Sequence, residues 1–183
     1  HAPCKDICKT FTVGQLTDFD TVYQFGQKAD VITIEIENVN TDALKKLEQE
    51  GKKIYPPADT IKLIQDKGLQ KSFYKEHQIP TSEFLFIDSK SDLEKHKDFL
   101  PAALKLRKEG YDGKGVMLLN TEQDIEKAFD APCILEKKVA IDKELSVICA
   151  RNVNGDIAVY PPVEAVFNPK YNLVDYLLSP ADI

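Results

Sequence analysis

The stretch Lys105-Leu106-Arg107-Lys108-Glu109-Gly110-Tyr111-Asp112-Gly113-Lys114-Gly115 lies between two strand-like runs, 102–106 and Val116-Met117-Leu118-Leu119. Glycines let backbone N–H groups approach an anion closely, and the lysines add point charges suited to phosphate. A Walker A loop or a dinucleotide fingerprint would open directly into a helix. Here a second strand pattern follows instead. The stretch therefore reads as a phosphate-covering flap between two strands.

Upstream of the flap, helix and strand signals alternate. Thr17-Asp18-Phe19-Asp20 has the form of a capping box opening an amphipathic helix through about residue 28. Asp30-Val31-Ile32-Thr33-Ile34-Glu35-Ile36 is a β-branched run with the pattern of a buried parallel strand. Residues 41–51 read as a helix with Leu44 and Leu47 inward and Gly51 as its stop, and Lys53-Ile54-Tyr55 as a short strand. Helices are expected over 58–65 and 67–77. This alternation predicts an α/β class with a partial doubly wound domain over residues 1–80, closed by the break at Ile79-Pro80-Thr81.

From residue 81 the pattern changes. Strands are expected over 83–87, 102–106, 116–119 and 133–139, with a capping box at Ser91-Asp92-Leu93-Glu94 and a helix over 121–129. Together they make a small α+β unit over 81–140, a size suited to a lid. Over 141–183 strands dominate, at 145–150, 157–160 and 163–167, with a hairpin turn at Asn154-Gly155. No closing element is read at Ser179-Pro180-Ala181-Asp182-Ile183, and both ends look like cuts within a longer protein.

Bulk properties narrow the function. A length of 183 residues allows one full domain or two small ones. The formal charge of −6 comes without the basic stripe that a nucleic-acid partner would need, although local lysines can still hold a small anion. No apolar run reaches the ~18 residues of a membrane span, and no signal peptide is visible, so the cytoplasm is the expected compartment. Cys4, Cys8, Cys133 and Cys149 fit no zinc spacing and read as free thiols. His1, His77 and His96 are scattered, and no serine–histidine–acid arrangement stands out. Catalysis by a side-chain nucleophile is not expected.

Several acids and lysines remain as candidates. Glu136 follows the apolar run Cys133-Ile134-Leu135, where a strand-end carboxylate and the main chain through Val139 suit an adenine and its ribose. Alone the pattern fits a solvated Glu–Lys cluster better; beside the flap the nucleotide reading takes precedence. Glu144 stands similarly, just before Leu145-Ser146-Val147-Ile148. Glu35 and Glu37 would share one strand face at the carboxyl end of a parallel strand, where doubly wound folds bind ligands; a helix N-terminus charge effect explains them equally well. Lys67 and Lys71 have helical i,i+4 spacing, which suits either a phosphate or a solvated surface.

Taken in order, these pieces resemble the N5-carboxyaminoimidazole ribonucleotide synthases, a family of ATP-grasp enzymes in purine synthesis. The resemblance covers essentially the whole chain. It rests on 30–39, on Ile64-Gln65-Asp66-Lys67-Gly68-Leu69-Gln70-Lys71, on Ile79-Pro80-Thr81, and on Lys105 with Gly110-Tyr111-Asp112-Gly113-Lys114-Gly115. Ile134-Leu135-Glu136, Lys143-Glu144-Leu145-Ser146-Val147, Ala150-Arg151-Asn152 and Tyr160-Pro161-Pro162-Val163-Glu164 complete it. It implies a pre-ATP-grasp domain over 1–80, the ATP-grasp lid over 81–140 and the start of the larger ATP-grasp subdomain over 141–183.

The resemblance also implies a reaction: ATP and bicarbonate form carboxyphosphate, which carboxylates the exocyclic amine of 5-aminoimidazole ribonucleotide. Lys67 and Lys105 would contact the ATP phosphates, with Gly110, Gly113 and Gly115 closing over them. Glu136 and Val139 would hold the adenosine and Glu144 the ribose. Tyr111, Asp112 and Lys114 would face the ribonucleotide and the carboxylating intermediate; Glu35 would contact the ribonucleotide, with Glu37 as second choice. A homodimer is implied as well. Magnesium is implied too, with its acidic ligands, a Gly-Gly-Gly-Gln-Leu-Gly loop and a C-terminal domain expected outside these residues, so the segment alone should not turn over. Glu109 replaces a frequent glycine, and Ala165 and Phe167 replace an Asn-x-His pattern. Two other readings stay open: an ATP-grasp ligase or carboxylase with another acceptor, and a non-catalytic nucleotide-binding module.

Overall fold

The computed structural model describes residues 3–108, 110, 115–168 and 173–183, with side chains from residue 5 onward. Tyr111, Asp112, Gly113 and Lys114, together with Glu109, lie outside the described residues. The chain forms two compact units, His1–Lys138 and Val139–Ile183.

In the first unit, α1 (Phe19–Gly26), β1 (Val31–Thr33), α2 (Thr41–Gln49), β2 (Lys53–Tyr55), α3 (Ala58–Gln65) and α4 (Lys67–Glu76) follow in order. β1 and β2 pair in parallel, Ile32 opposite Ile54. Val22, Leu44, Leu47, Ile54 and Ile61 bury a small core between the helices and this pair. α2 ends as the sequence predicts: Gly51 takes φ 86°, and the N–H groups of Gly51 and Lys52 return to the carbonyls of Glu48 and Leu47.

Three expectations change here. The capping side chain of α1 is Asp18, which accepts from the Thr21 N–H at 2.7 Å and so takes the place expected of Thr17. β1 spans three residues rather than seven and is half-exposed. The ladder stops because Pro56 and Pro57 follow β2 and bring no N–H groups, the last bond being Ile34 N–H to the Tyr55 carbonyl. Glu35 and Glu37 consequently sit in a bend beyond the carboxyl end of β1, not on one strand face.

The remainder of the first unit is a four-stranded antiparallel sheet in the order β3 (Phe84–Ile87), β6 (Cys133–Lys137), β4 (Ala102–Leu106), β5 (Val116–Leu119). One face packs Ile87, Leu104, Leu119, Cys133 and Leu135 against Leu93 and Ile125. Leu93 ends the short α5 (Lys90–Leu93), capped by Ser89 two residues ahead of the expected box. Ile125 belongs to a 3-10 helix over Glu122–Lys127, opened by a Thr121–Asp124 capping box, where a longer helix was expected.

The second unit is built from strands. β7 (Glu144–Ser146), β10 (Val163–Phe167) and β11 (Val174–Leu178) form one antiparallel sheet in the order β11-β10-β7, and β8 (Cys149–Arg151) and β9 (Ile157–Val159) form a hairpin. The single strand expected over 145–150 is therefore two, because the chain changes partners between Ser146 and Cys149. β11 has no counterpart in the sequence reading. The Asn154-Gly155 turn is present: Gly155 has φ 91°, and Asn152 Oδ1 accepts from the N–H groups of Asn154 and Asp156.

Candidate functional site

Side-chain alternation in the sheet selects the chemistry-bearing face. Residues opposite one another in the register include Phe84 with Glu136, Phe86 with Ile134, Lys105 with Ile134, and Ala103 with Glu136. Since Leu104 and Leu135 turn into the core, Lys105 and Glu136 share the other face, as diagonal neighbours on adjacent strands. This face meets α4 through Lys71.

Two ammonium groups and a hydroxyl converge on one oxygen of Glu136. Lys105 Nζ lies 3.1 Å from Oε2, Lys71 Nζ 3.4 Å, and Ser82 Oγ donates at 3.1 Å. Lys71 also donates to Thr81 Oγ1 at 2.5 Å and Ser82 Oγ at 2.9 Å. Burial pushes the carboxyl of Glu136 up, but the charge and hydrogen bond of Lys105, then Lys71 and Ser82, outweigh it and hold it below the ordinary carboxylate value. Glu136 is thus a buried, ionised acceptor. The Lys71 side chain is 10% exposed and that of Lys105 29%, so the first is built into the structure and the second reaches solvent.

A second ion pair lies alongside. Asp66 caps α4, its Oδ1 accepting from the N–H groups of Gly68 (2.8 Å) and Leu69 (3.2 Å). The same carboxylate takes Arg107 in a two-pronged pair, Nε to Oδ1 at 3.0 Å and Nη2 to Oδ2 at 2.8 Å, with the guanidinium over the Phe86 ring. Burial raises Asp66, yet Arg107 and the two N–H groups leave its pKa lowered. The Lys67 N–H donates to the Arg107 carbonyl at 2.8 Å. This joins the start of α4 to the stem of the flap.

The stem is narrow. Leu106 N–H donates to the Gly115 carbonyl at 2.9 Å, and Gly110 and Gly115 have φ of 75° and 79°. A cleft of about 390 Å3 opens between the stem and the end of β1, lined among others by Glu37, Gln65, Lys67, Gln70, Lys108 and Gly110. Gln65 Nε2 donates to the carbonyls of Glu37 (2.6 Å) and Val39 (2.7 Å), which fixes the bend carrying Glu37. Two ammonium groups with a positive-φ glycine beside them suit a polyphosphate.

Of the expected residues, the structure brings together Lys105 with Glu136, Gly110 with Gly115, and Lys67 with Gly110 and Glu37. Glu35 is exposed on the bend before Glu37. Val139 and Glu144 belong to the second unit, Val139 exposed ahead of β7 and Glu144 exposed within it opposite Ala165. Asp66, Arg107 and Ser82 were not foreseen as site residues, and Lys71 proves to be an internal counter-ion. The Asp before Lys67-Gly68 is a helix-cap signal that reveals one function of Asp66; nothing local reveals its partner 41 positions away. Among the described residues no three His, Cys, Asp or Glu side chains gather as a metal site.

Residues 72–182 match the ATP-grasp domain, and residues 1–65 match the ribonucleotide synthetase preATP-grasp domain. The chain belongs to the ATP-grasp family. Among curated proteins it is similar to the phosphoribosylaminoimidazole carboxylase of Candida albicans, 36% identical over 93% of this chain and 31% of that protein. Among solved structures it resembles an N5-carboxyaminoimidazole synthetase from Staphylococcus aureus complexed with ADP, with a TM-score of 0.90 and 32% identity over 99% of this chain and 49% of that one. It also resembles an Aspergillus clavatus N5-carboxyaminoimidazole synthase in complex with ADP and 5-aminoimidazole ribonucleotide, with a TM-score of 0.80 and 29% identity over 91% of this chain and 45% of that one. The chain spans about a third of the first relative and about half of these two.

Proposed function

We propose that this chain is the ATP-gripping part of an enzyme that carboxylates 5-aminoimidazole ribonucleotide to its N5-carboxyamino form, using ATP and bicarbonate. The observation that supports this most is likeness of fold and sequence together over nearly the whole chain to a synthetase complexed with ADP. Phosphoryl transfer from ATP to bicarbonate makes carboxyphosphate, whose carbonyl carbon is attacked by the exocyclic amine; ADP and phosphate leave. Such a step is accelerated by positioning and charge neutralisation and needs no protein nucleophile.

In this reading Lys67 and Lys105 meet the ATP phosphates under the flap glycines Gly110, Gly113 and Gly115. Glu136 and Val139 hold the adenosine and Glu144 its ribose. Tyr111, Asp112 and Lys114 face the ribonucleotide. Of the two acids after β1, Glu37 lines the cleft, so we place it ahead of Glu35 for the ribonucleotide. Magnesium, held by residues outside this chain, would neutralise phosphate charge. We further infer a cytoplasmic homodimer.

The test is ADP release by the full-length protein with bicarbonate, with and without 5-aminoimidazole ribonucleotide. Strong stimulation by the ribonucleotide is expected. ATP turnover that ignores it would replace the acceptor and keep the fold; ATP binding without turnover would make the chain a nucleotide-binding module.

A further inference from the structure

Two ammonium groups share one carboxylate oxygen, and they are not equivalent. Lys71 rises from α4, is nine-tenths buried, and is fastened by the hydroxyls of Thr81 and Ser82 as well as by Glu136. Its Nζ also stands 5.7 Å from the centroid of the Phe84 ring. Lys105 is on β4, is three times as exposed, and of the described acceptors pairs with Glu136 Oε2 alone. If Lys105 turned toward a phosphate with no second cation present, a buried carboxylate would stand unpaired, which is strongly unfavourable. It would then take up a proton and become a poorer acceptor.

We propose that Lys71 is the standing counter-ion of Glu136, a positioning residue that keeps this carboxylate ionised and aimed while Lys105 exchanges it for a nucleotide phosphate. The proposal rests on the reading above, in which Lys105 meets phosphate and Glu136 the adenosine. Both ammonium groups and the Ser82 hydroxyl meet the carboxylate at Oε2, which leaves Oε1 for a nucleotide hydroxyl or amine. Ser82 relays between the two charges, accepting from Lys71 and donating to Glu136. The groups facing the carboxylate are thus Lys71 from α4, Lys105 from β4 and Ser82 from the segment before β3. Lys71 and Lys105 are the charged ones among them.

ADP affinity of the full-length protein between pH 6 and 8 tests this, in the wild type and in Lys71→Met, Lys71→Arg and Glu136→Gln. Lys71→Met should bind ADP about tenfold more weakly, the scale of one pK unit of lost charge support. Its affinity relative to the wild type should fall further toward pH 6, the wild type itself reporting the titration of the ADP phosphate. Lys71→Arg should restore the wild-type profile. A purely packing role for Lys71 would leave the ratio of Lys71→Met to wild type independent of pH, and that result overturns the proposal. Should Lys71→Met fail to fold, the double variant Lys71→Met/Glu136→Gln removes both charges. Its affinity should then match Glu136→Gln alone; a further loss would give Lys71 a direct part in binding and overturn the proposal. If Glu136→Gln itself leaves ADP binding untouched, the assignment of Glu136 to the nucleotide is wrong, and the proposal falls with it.

Discussion

Oδ1 of Asp66 accepts from two helix N–H groups and from Arg107 Nε, while Oδ2 accepts from Arg107 Nη2, so one carboxylate caps a helix and anchors a strand end. Removing it should undo both. Asp66→Ala is expected to cost about 3 kcal/mol, combining a lost cap with the loss of charged hydrogen bonds. Asp66→Asn keeps acceptors for the cap and should cost roughly half as much. Urea unfolding followed by circular dichroism measures both; equal costs would mean that the cap contributes nothing, and an Asp66→Asn cost near zero that the charge of the pair with Arg107 contributes nothing. The pH dependence has a definite sign. The carboxyls of Asp66 and Glu136 are lowered from ordinary values of 3.8 and 4.5. In acid the unfolded chain therefore binds more protons than the folded one, and stability rises with pH through that window. The contribution of each is fully present above its ordinary value and is lost as pH falls through the lowered one. Asp66→Asn should accordingly show a shallower acid loss than the wild type.

Among the elements, α4 and the flap stem fit together through glycine. A Cβ on Gly68 would stand 2.6 Å from both Arg107 Nε and Phe86 Cε1, although the helix itself would welcome alanine. Gly68→Ala is therefore expected to destabilise by roughly 1–3 kcal/mol, as overpacking does, and, on the role proposed for Lys67 beside it, to weaken ADP binding. A neutral or stabilising Gly68→Ala would show that Arg107 yields without cost. The same contact marks where the sequence was legible. Helices α1 to α4, the four strands around the flap and the glycine stop at Gly51 follow from periodicity and local turn chemistry, and the structure has them. Strand ends and caps were less legible, since they depend on competition: Asp18 over Thr17, Ser89 over Ser91, and prolines after β2 that curtail β1. The candidate site divides likewise. Lys105 and Glu136 can be read from their places on strands, but their pairing with Lys71 joins three elements and leaves no local trace.

For the molecule as a whole, burial is unevenly shared. Every residue of the apolar core lies at or before Leu135, and no described residue of Val139–Ile183 is buried. There, Ile148, Ile157, Val159 and Leu177 are each more than 60% exposed, in strands or beside them. A sheet with so little buried apolar surface has little to offset the conformational entropy of its residues, and it opens locally at low free-energy cost. The first unit holds two separate cores and is expected to outlast it. Limited trypsin digestion of the 183-residue chain should therefore cut first after Lys138, Lys143 and Arg151, leaving a persistent product ending near residue 138. Exposed apolar strands of this kind also favour binding of a hydrophobic dye, and that signal should fall as the second unit is removed. Cleavage at equal rates in both units, or dye binding that survives in the trimmed product, would place the weak region in the first unit instead.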